Sequence, residues 1–217
     1  MGFAREAWPF VLPPASAAVA LFAIGMPAAG AVATVLAILL LLFFRDPVSR
    51  FEGPIDVVLA PAWGKVLRVE PAEDLAISAE PLHRVVTFLS VFDVHLQRAP
   101  IDGRVVQCAS SPGRRVAAFR HDAGVINAGH LTVLEDDAGD RVGVRQIVGL
   151  LARRIVCYFE PGQRVRRGET LGLIKFGSRV DLLVPRRYEI LVRPGARLRG
   201  GSTPVARPTA VEDRGDV

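Results

Sequence analysis

The chain begins with one long apolar stretch and continues with short apolar runs separated by turn residues. No charged residue occurs from Ala7 to Phe44, a stretch of 38 residues. One membrane-spanning helix needs about 20 apolar residues, so this stretch is long enough for nearly two. The segment GMP at residues 25–27 interrupts it near the middle, and glycine and proline both weaken a helix. The pattern predicts a transmembrane helical hairpin with two short spans, at about 9–24 and 28–44.

Two other interpretations of the apolar stretch remain open. It could form a single long, tilted segment, or it could be a cleaved signal peptide. The signal peptide fits less well because the stretch far exceeds the usual apolar core of about 7–15 residues. Arg5 precedes the stretch, and Arg45 and Arg50 follow it. Positive flanks on both sides suit a hairpin with both ends in the cytoplasm. We therefore expect the cytoplasmic (inner) membrane, with the rest of the chain on its cytoplasmic face.

The pattern changes after residue 50. From there, runs rich in β-branched residues alternate with Gly, Pro, Asp and Asn, as is typical of an all-β sandwich or barrel. The segment Arg145–Phe159 is long enough for a helix, but its Val, Ile, Cys, Tyr and Phe content favours a pair of strands. We predict an anchor at 1–50, a β-rich catalytic domain at 51–203, and a tail at 204–217 that lacks an apolar pattern and is disordered.

Two pairs of similar segments indicate an internal repeat. The matching pairs are APAWGKVL with APIDGRVV, and PGQRVRRGET with PGARLRGGST. The second pair resembles the turns of lipoyl- and biotinyl-type β-sandwiches, where glycine provides a positive φ. Ser202 aligns with Glu169 in this repeat, so Ser202 is interpreted as a turn residue. Ser178, in KFGSRV, has no partner in the repeat, which leaves it as the candidate for chemistry.

Charge and cysteine content narrow the class of protein. The formal net charge is +5, and arginines cluster late in the chain. No aromatic residues are interleaved with these arginines, so we expect anionic lipid headgroups as their partner and no nucleic acid. Cys108 and Cys157 lie in apolar, strand-like contexts and are interpreted as buried thiols in a reducing compartment. No spacing of possible ligands predicts a metal site.

Several of these segments together resemble the phosphatidylserine decarboxylase family, in its short, membrane-anchored archaeal and proteobacterial form. The resemblance covers nearly the whole chain, from the end of the hairpin to the last turn. It is most specific in GETLGLIKFGS and in DVHLQRAP, and it extends through FFRDP, RQIVGLLARRIVCYFEPGQRVRRGETLGLIKFGSRVDLLVP and PGARLRGGSTPVA. The fold that it implies is a mainly β, lipoyl- or biotinyl-like sandwich or barrel behind the membrane hairpin.

The resemblance implies a zymogen that cleaves itself between Gly177 and Ser178. In the family's chemistry the serine hydroxyl attacks the preceding carbonyl, and β-elimination of the resulting ester leads to a pyruvoyl group. Ser178 would become this covalent cofactor and the Schiff-base site for phosphatidylserine, which loses CO₂ to give phosphatidylethanolamine. The chains Met1–Gly177 and Ser178–Val217 would stay together as a heterodimer. Exposed strand edges would also allow a homo-oligomer.

The family's histidine motif matches the segment around His95. The resemblance implies that His95 is the general acid and base, a role suited to a pKa near neutrality. Asp93 could orient His95, and Arg98 could hold a phosphate or carboxylate or else form a surface salt bridge. Phe176, next to the cleavage site, is a supporting candidate. The other histidines are interpreted as solvated or structural: His83, His121 and His130.

The segment VINAGHLTVLE matches the family pattern poorly, and the more serious departure is at position 63. Family members usually carry Pro-x-Asp-Gly in the early strand, with an aspartate that takes part in self-cleavage, but APAWGKV has Trp63 there. Tryptophan cannot accept or relay a proton. Three accounts stay open: Asp56 or Asp93 substitutes, cleavage is slower, or the chain is an unprocessed, non-catalytic relative.

Two further classes fit the sequence less well. A lipoyl or biotinyl carrier needs a lysine at a hairpin tip, whereas Lys65 and Lys175 lie in predicted strands. A serine hydrolase needs a nucleophile elbow such as G-x-S-x-G, which KFGSRV does not provide.

Overall fold

The structure is a computed structural model that describes residues 2–150, 154–175 and 178–209. A 3-10 turn, Arg5–Ala7, leads into two apolar helices, α1 (Trp8–Ala23) and α2 (Pro27–Phe43). Proline opens α2, where its missing N–H would have had no partner in any case. A third helix, α3 (Ala123–Ile126), is a single turn. Most of the remaining elements are strands, so the predicted mainly β class is confirmed.

The strands form one large antiparallel sheet and three small ones. In chain order they are β1 (Gly2–Phe3), β2 (Arg45–Asp46), β3 (Val58–Leu59), β4 (Gly64–Asp74), β5 (Ser78–Leu89), β6 (Leu96–Arg98), β7 (Gly103–Ser111), β8 (Gly129–Glu135), β9 (Arg141–Val148), β10 (Ile155–Cys157), β11 (Arg164–Val165), β12 (Thr170–Ile174), β13 (Ser178–Pro185), β14 (Tyr188–Ile190), β15 (Arg197–Leu198) and β16 (Pro204–Pro208). The large sheet has the order β11-β7-β8-β9-β13-β5-β4-β15 and curls into a half-barrel. Two three-stranded sheets, β10-β12-β6 and β14-β16-β3, pack on its inner face, and β1 pairs with β2.

The internal repeat predicted from the sequence corresponds to two equivalent half-units. The backbone N–H of Gly168 donates to the carbonyl of Ala99 at 2.9 Å, and Gly201 donates to Ala60 in the same way at 2.8 Å. These glycines have φ values of +82° and +67°, which other residues rarely adopt. One half-unit runs from β6 to β12 and is inserted into the other, which consists of β3–β5 and β13–β16. The segment between β12 and β13, which contains the predicted cleavage site, is therefore where the chain returns from the inserted half-unit.

Side-chain alternation divides the large sheet into an inner and an outer face. On β13, Val180, Leu182 and Val184 point into the main core between the sheets, whereas Leu183 packs in a smaller cluster on the outer face. Every residue of β13 is buried. A central strand covered on both faces explains the nearly continuous apolar run in this segment.

The predicted hairpin agrees with the two helices to within one residue at each end. At 1.5 Å per residue, α1 is about 24 Å long and α2 about 26 Å. The stretch Arg5–Ala23 is long and apolar enough to cross a membrane, and α2 is a shorter apolar helix. Because β1 pairs with β2, both ends of the hairpin lie at the same place, beside the β domain.

Two sequence predictions concern segment boundaries. The interpretation of Arg145–Phe159 as a strand pair is confirmed, since β9 ends at Val148 and β10 follows at Ile155. The prediction that a disordered tail begins at residue 204 is wrong for the first residues of that tail. They form β16, and burial of Val205 and Ala206 between two partner strands outweighs the prolines at its ends. Residues 210–217 lie outside the described part of the chain.

Candidate active site

Ser178 is the first residue of β13, at the centre of the large sheet. It pairs with Leu89 of β5 on one side and with Val148 of β9 on the other. Both partners belong to the main core, so the Ser178 side chain points to the inner face. It is fully buried, and its Oγ has no hydrogen-bond partner among the described residues. A buried hydroxyl without a partner is unfavourable by about 1–3 kcal/mol, and no contact within the described part of the chain offsets this cost at Ser178.

The residue after Ser178 forms a buried ion pair on the opposite face of the sheet. The Arg179 guanidinium donates to both carboxylate oxygens of Asp181, with Nε–Oδ1 at 2.6 Å and one terminal nitrogen to Oδ2 at 2.8 Å. Burial raises the pKa of Asp181, and the neighbouring Arg179 opposes that shift. Because Arg179 follows Ser178 directly, this paired contact restrains the backbone next to the buried hydroxyl.

His95 lies in the loop before β6 and is almost fully buried. Its Nδ1 is 2.9 Å from the backbone carbonyl of Asp93, which can only accept, so Nδ1 carries the proton and Nε2 carries the lone pair. Burial lowers the pKa of His95 to about 4; the hydrogen bond to Asp93 and its charge act in the opposite direction, and Arg45 lowers the pKa further. The expected pKa near neutrality is therefore wrong, and the ring is a neutral base at pH 7.

A buried pair of glutamines joins His95 to the sheet that holds Ser178. The carbonyl of His95 accepts from the backbone N–H of Ile174 at 3.3 Å, at the end of β12, and from the Gln97 side chain at 2.8 Å. The Gln146 amide donates in turn to Gln97 Oε1 at 2.8 Å. Gln146 lies on the inner face of β9, the face to which Ser178 points. The polar chain therefore runs through the core from the histidine loop to the strand beside Ser178.

The carboxylate of Asp93 does not orient His95, so that part of the prediction is wrong. One carboxylate oxygen accepts from both the backbone N–H and the hydroxyl of Ser90 at 2.8 Å, and the other faces Arg197 at 3.2 Å. Asp93 precedes β6, so the strand alternation that would have aligned it with His95 does not apply. Its backbone carbonyl orients the ring instead.

Arg98 forms the salt bridge that was one of its two predicted roles, but its side chain is buried and does not lie at the surface. Its guanidinium pairs with Asp46 of the FFRDP segment and donates to Thr170 Oγ1 and to the carbonyl of Pro47. It also lies over the Trp63 ring at 5.5 Å. With the side chain enclosed in this way, Arg98 ties the end of the hairpin to the β domain and has no open face for a phosphate.

Trp63 occupies a packing position in the repeat. A Cβ atom at Gly200 would lie 2.6 Å from its indole ring, so glycine permits the close approach. At the equivalent position of the other half-unit, Asp102 Oδ1 accepts from the backbone N–H of Arg167 at 2.9 Å. A carboxylate therefore caps one turn, and an aromatic ring covers the matching turn.

The base of the hairpin packs directly on the histidine loop. The ring centroids of Phe43 and His95 are 4.1 Å apart. Phe43 and Phe44 belong to a cluster that also contains Val94 and Leu96, the residues on either side of His95. The base of the hairpin thus forms one wall of the site and contributes to the burial that keeps the imidazole neutral.

The remaining candidates are distributed as follows. Phe176 and Gly177 lie outside the described residues. His121 is exposed, and His83 is half-buried at the edge of the core. Sequence reasoning missed Phe43, Gln97 and Gln146; the detectable signal for the glutamines was an uncharged polar residue inside an apolar run, in VHLQR and VRQIV.

Comparison with known proteins identifies relatives that extend over most of the chain. The family model for phosphatidylserine decarboxylase matches residues 36–206. The chain is 41% identical over 205 residues, 94% of both chains, to a phosphatidylserine decarboxylase proenzyme of Symbiobacterium thermophilum. It is also 41% identical over 165 residues, 76% of both chains, to one of Magnetococcus marinus. A third, from Rhodococcus erythropolis, is 44% identical over 168 residues, 76% of this chain and 71% of its own.

Proposed function

The chain belongs to the phosphatidylserine decarboxylase family and is an enzyme of that class, and from this premise we propose that it first cuts itself between Gly177 and Ser178. Ser178 then becomes a pyruvoyl group, with which the enzyme converts phosphatidylserine to phosphatidylethanolamine and CO₂. The observation that carries the proposal is the buried Ser178 hydroxyl, which lacks a partner among the described residues although it lies at the centre of the large sheet.

The residues around Ser178 fit such a group. Leu89 and Val148 flank the position, and the small side chain that would carry the carbonyl is buried. A pyruvoyl group supplies an electron sink for the pair released as CO₂ leaves. No lysine is needed for this chemistry, which agrees with the positions of Lys65 in a strand and Lys175 just after one.

Self-cleavage begins with proton transfer from the Ser178 hydroxyl. In the proposal, Nε2 of His95 takes this proton while Oγ attacks the Gly177 carbonyl carbon. The peptide C–N bond then breaks as the protonated imidazole returns the proton to the Ser178 nitrogen, which leaves an ester and a free amine. A base then removes the Ser178 α-proton, which expels the Gly177 carboxylate from Cβ and leaves a dehydroalanine. Protonation of its Cβ gives an imine, and water adds to this imine and displaces the nitrogen as ammonia. A neutral imidazole with its Nδ1 proton held by the Asp93 carbonyl is in the protonation state that the first step needs at pH 7.

The absence of the usual aspartate is compatible with this role. The orientation that a carboxylate could give to His95 comes from the backbone carbonyl of Asp93. Asp56, the other substitute considered, is exposed at the surface. We therefore propose that His95 acts without a carboxylate partner, at a rate that lacks whatever help the aspartate provides; general-base assistance typically contributes about 10²–10⁴-fold.

The two products of cleavage would remain associated. Strand β13 opens the small chain, and it pairs along its length with β5 and over six residues with β9, both of the large chain. Its side chains are buried on both faces of the sheet. Separation would expose this core, so we expect a stable heterodimer. The strands β11 and β15 form the edges of the large sheet and offer a surface for further oligomerisation.

We further propose that the hairpin anchors the enzyme in the cytoplasmic membrane, with the β domain on the cytoplasmic face. Arg5, Arg45 and Lys175 lie at the hairpin base, where they contact Tyr158, the Phe92 carbonyl and Phe10 respectively. Positive residues at this depth favour the cytoplasmic side and attract anionic headgroups. Contact between Phe43 and His95 keeps the site beside the bilayer, so the lipid can react while its acyl chains stay in the membrane.

The experiment that tests the proposal is the intact mass of the purified protein in detergent. We expect two chains, divided between Gly177 and Ser178, with the small chain blocked to N-terminal sequencing. The Ser178→Ala variant should remain a single chain and release no CO₂ from phosphatidylserine. The matched control, Ser202→Ala, should cut and react like the unchanged protein, because Ser202 lies in a repeat turn.

A second candidate function rests on Trp63. An unprocessed, non-catalytic relative would keep the fold and the anchor but remain one chain of 23.4 kDa. An unbroken chain that is stable for days and inactive on phosphatidylserine would establish that alternative. A break at Gly201–Ser202 would move the reactive serine to the other turn of the repeat.

A further inference from the structure

The two cysteines meet His130 between the large sheet and β10. One ring nitrogen of His130 and the sulfur atoms of Cys108 and Cys157 all lie within 4.8 Å of one another. The three residues come from β7, β8 and β10 and are far apart in sequence. All three are half-buried.

The imidazole of His130 is oriented as a ligand would be. The Ser110 hydroxyl lies 2.9 Å from Nδ1, across the β7–β8 ladder from His130. The other nitrogen, Nε2, is buried and has no hydrogen-bond partner in the described part of the chain. A second group that fixes one ring nitrogen while the other faces inward is the usual arrangement around a metal-binding histidine.

The two thiols converge on the same point from different strands. Cys108 Sγ and Cys157 Sγ lie 3.5 and 3.6 Å from the Phe159 carbonyl oxygen, and Cys157 Sγ is also 3.7 Å from the Thr132 hydroxyl. These are weak contacts, which leave both sulfur atoms able to turn toward a shared ligand. The carbonyl of Phe159 lies at the remaining side of the cluster.

We propose that Cys108, His130 and Cys157 bind a zinc ion. Two sulfurs and one imidazole nitrogen are a donor set that zinc favours over magnesium or calcium. In a tetrahedral site, Zn–S near 2.3 Å and Zn–N near 2.0 Å place the ligand atoms about 3.5–3.8 Å apart, which small rotations within the cluster achieve. The fourth position falls to water or to the Phe159 carbonyl. On binding, both thiols lose their protons to solvent and bind as thiolates.

The ion would join β10 to the large sheet. Strand β10 has three residues and pairs only with β12 among the described strands, so a bond to β7 and β8 adds a restraint that its short ladder lacks. Strand β12 leads to the segment that is cut in the proposed function. The zinc site is nevertheless independent of that cleavage, since all its ligands lie in the inserted half-unit.

The test uses the Ser178→Ala precursor, which keeps the experiment separate from self-cleavage. The full chain is purified in detergent with reductant, loaded with Zn²⁺, passed through a desalting column and analysed for bound zinc. About one ion per chain is expected, with thiolate-to-metal charge-transfer bands when Co²⁺ replaces Zn²⁺. Cys108→Ser and His130→Ala should each lose at least about 10-fold in affinity. His121→Ala, an exposed control, should bind zinc normally.

Two results would overturn the proposal. One is less than a tenth of an ion per chain with both thiols reduced and the β-sheet circular dichroism intact. The other is a Cys108–Cys157 disulfide in the protein as isolated, detected as two thiols that appear only after reduction, with no zinc bound once they have appeared. If Cys108→Ser does not fold, His130→Ala supplies the same comparison without altering a cysteine.

Discussion

Because His95 is buried in its neutral form, the folded protein should lose stability as the pH falls below 6.5. In the unfolded chain His95 takes up a proton near 6.5, whereas in the folded protein its pKa is about 4. Between these two values the unfolded state binds more protons, so acid favours unfolding. Below about pH 4 both states are protonated, and this contribution stops growing.

The magnitude follows from the two pKa values. Each pKa unit corresponds to about 1.4 kcal/mol, so the full effect is on the order of 3 kcal/mol. Between pH 7 and pH 5, His95 should lower the unfolding free energy by about 2 kcal/mol, because His95 is still mostly neutral at pH 5 in the folded protein but charged in the unfolded chain. That is a large fraction of the total stability of about 5–15 kcal/mol that is typical of a folded domain.

The assay compares the unfolding free energy of two single-chain proteins in detergent. The Ser178→Ala precursor and the same precursor with His95→Asn are unfolded in urea at pH 7 and pH 5, with tryptophan fluorescence as the signal. Asparagine does not titrate and keeps an N–H that can donate to the Asp93 carbonyl. The loss of stability between the two pH values should be about 2 kcal/mol smaller in the His95→Asn protein.

Other titrating groups are common to both proteins and cancel in this comparison. A His121→Asn variant of the precursor, with an 82% exposed side chain at the altered position, should keep the full pH dependence. Equal pH dependence in the precursor and the His95→Asn protein would refute the reasoning, because it would mean that folding leaves the protonation of His95 unchanged.

Three further predictions follow from the same contacts. Phe43→Ala should raise the pKa of His95 toward 6.5 by admitting water beside the ring, and should destabilise the chain by about 3–5 kcal/mol. Phe43→Leu should have smaller effects on both the pKa and the stability. Unfolding curves at a series of pH values measure both quantities, and an unchanged pKa of His95 in Phe43→Ala would contradict the prediction. Arg98→Ala leaves the partly exposed Asp46 without its partner and should cost about 1.5–3 kcal/mol, while exposed Arg207→Ala should cost less than about 1 kcal/mol. Equal effects in urea unfolding would contradict a structural role for the Arg98 ion pair. Gly200→Ala should lower the unfolding free energy by about 1–3 kcal/mol because the added methyl group contacts Trp63, and this loss should be smaller in a Trp63→Ala background. If the effects of the two substitutions on the unfolding free energy are additive, the residues at positions 63 and 200 are not in contact.

The parts of the fold that local pattern controls could be predicted from the sequence. The two helices follow from uncharged apolar residues on either side of a Gly-Met-Pro break, because each helix satisfies its own backbone within a continuous segment. The strands and the repeat follow from β-branched runs and from turns whose glycines require a positive φ, as at Gly168 and Gly201. Both signals depend on near neighbours in the chain.

The boundary at residue 204 shows where composition misleads. Proline and arginine around Val205 and Ala206 are typical of a disordered tail. These two apolar residues are nevertheless enough to form a strand when partner strands lie on both sides. The pairing partners, β3 and β14, are supplied by other parts of the chain. No local property of the segment indicates these partner strands.

The reactive segment and its histidine were identified from the sequence by their motifs, but their environment was not. The pKa of His95 depends on burial by Phe43, which lies 52 positions earlier, and on a backbone carbonyl that any residue at position 93 would offer. The sequence left open whether Arg98 binds a ligand or forms a salt bridge, because its charge is visible in the sequence and its partner, Asp46, is not. Desolvation and pairing are properties of the packed molecule.

The sequence by itself determined the element types, the repeated turn segments, the apolar helix pair and the Gly-Ser pair, because each is a pattern within a short stretch of the chain. Only the tertiary structure decided that His95 is neutral, that Arg98 pairs with Asp46, and that possible ligand atoms of Cys108, His130 and Cys157 lie within 4.8 Å of one another. The physical reason is the same in each case. A pKa, an ion pair and a metal site depend on distances between residues that are far apart in sequence, and packing of the two half-units sets those distances.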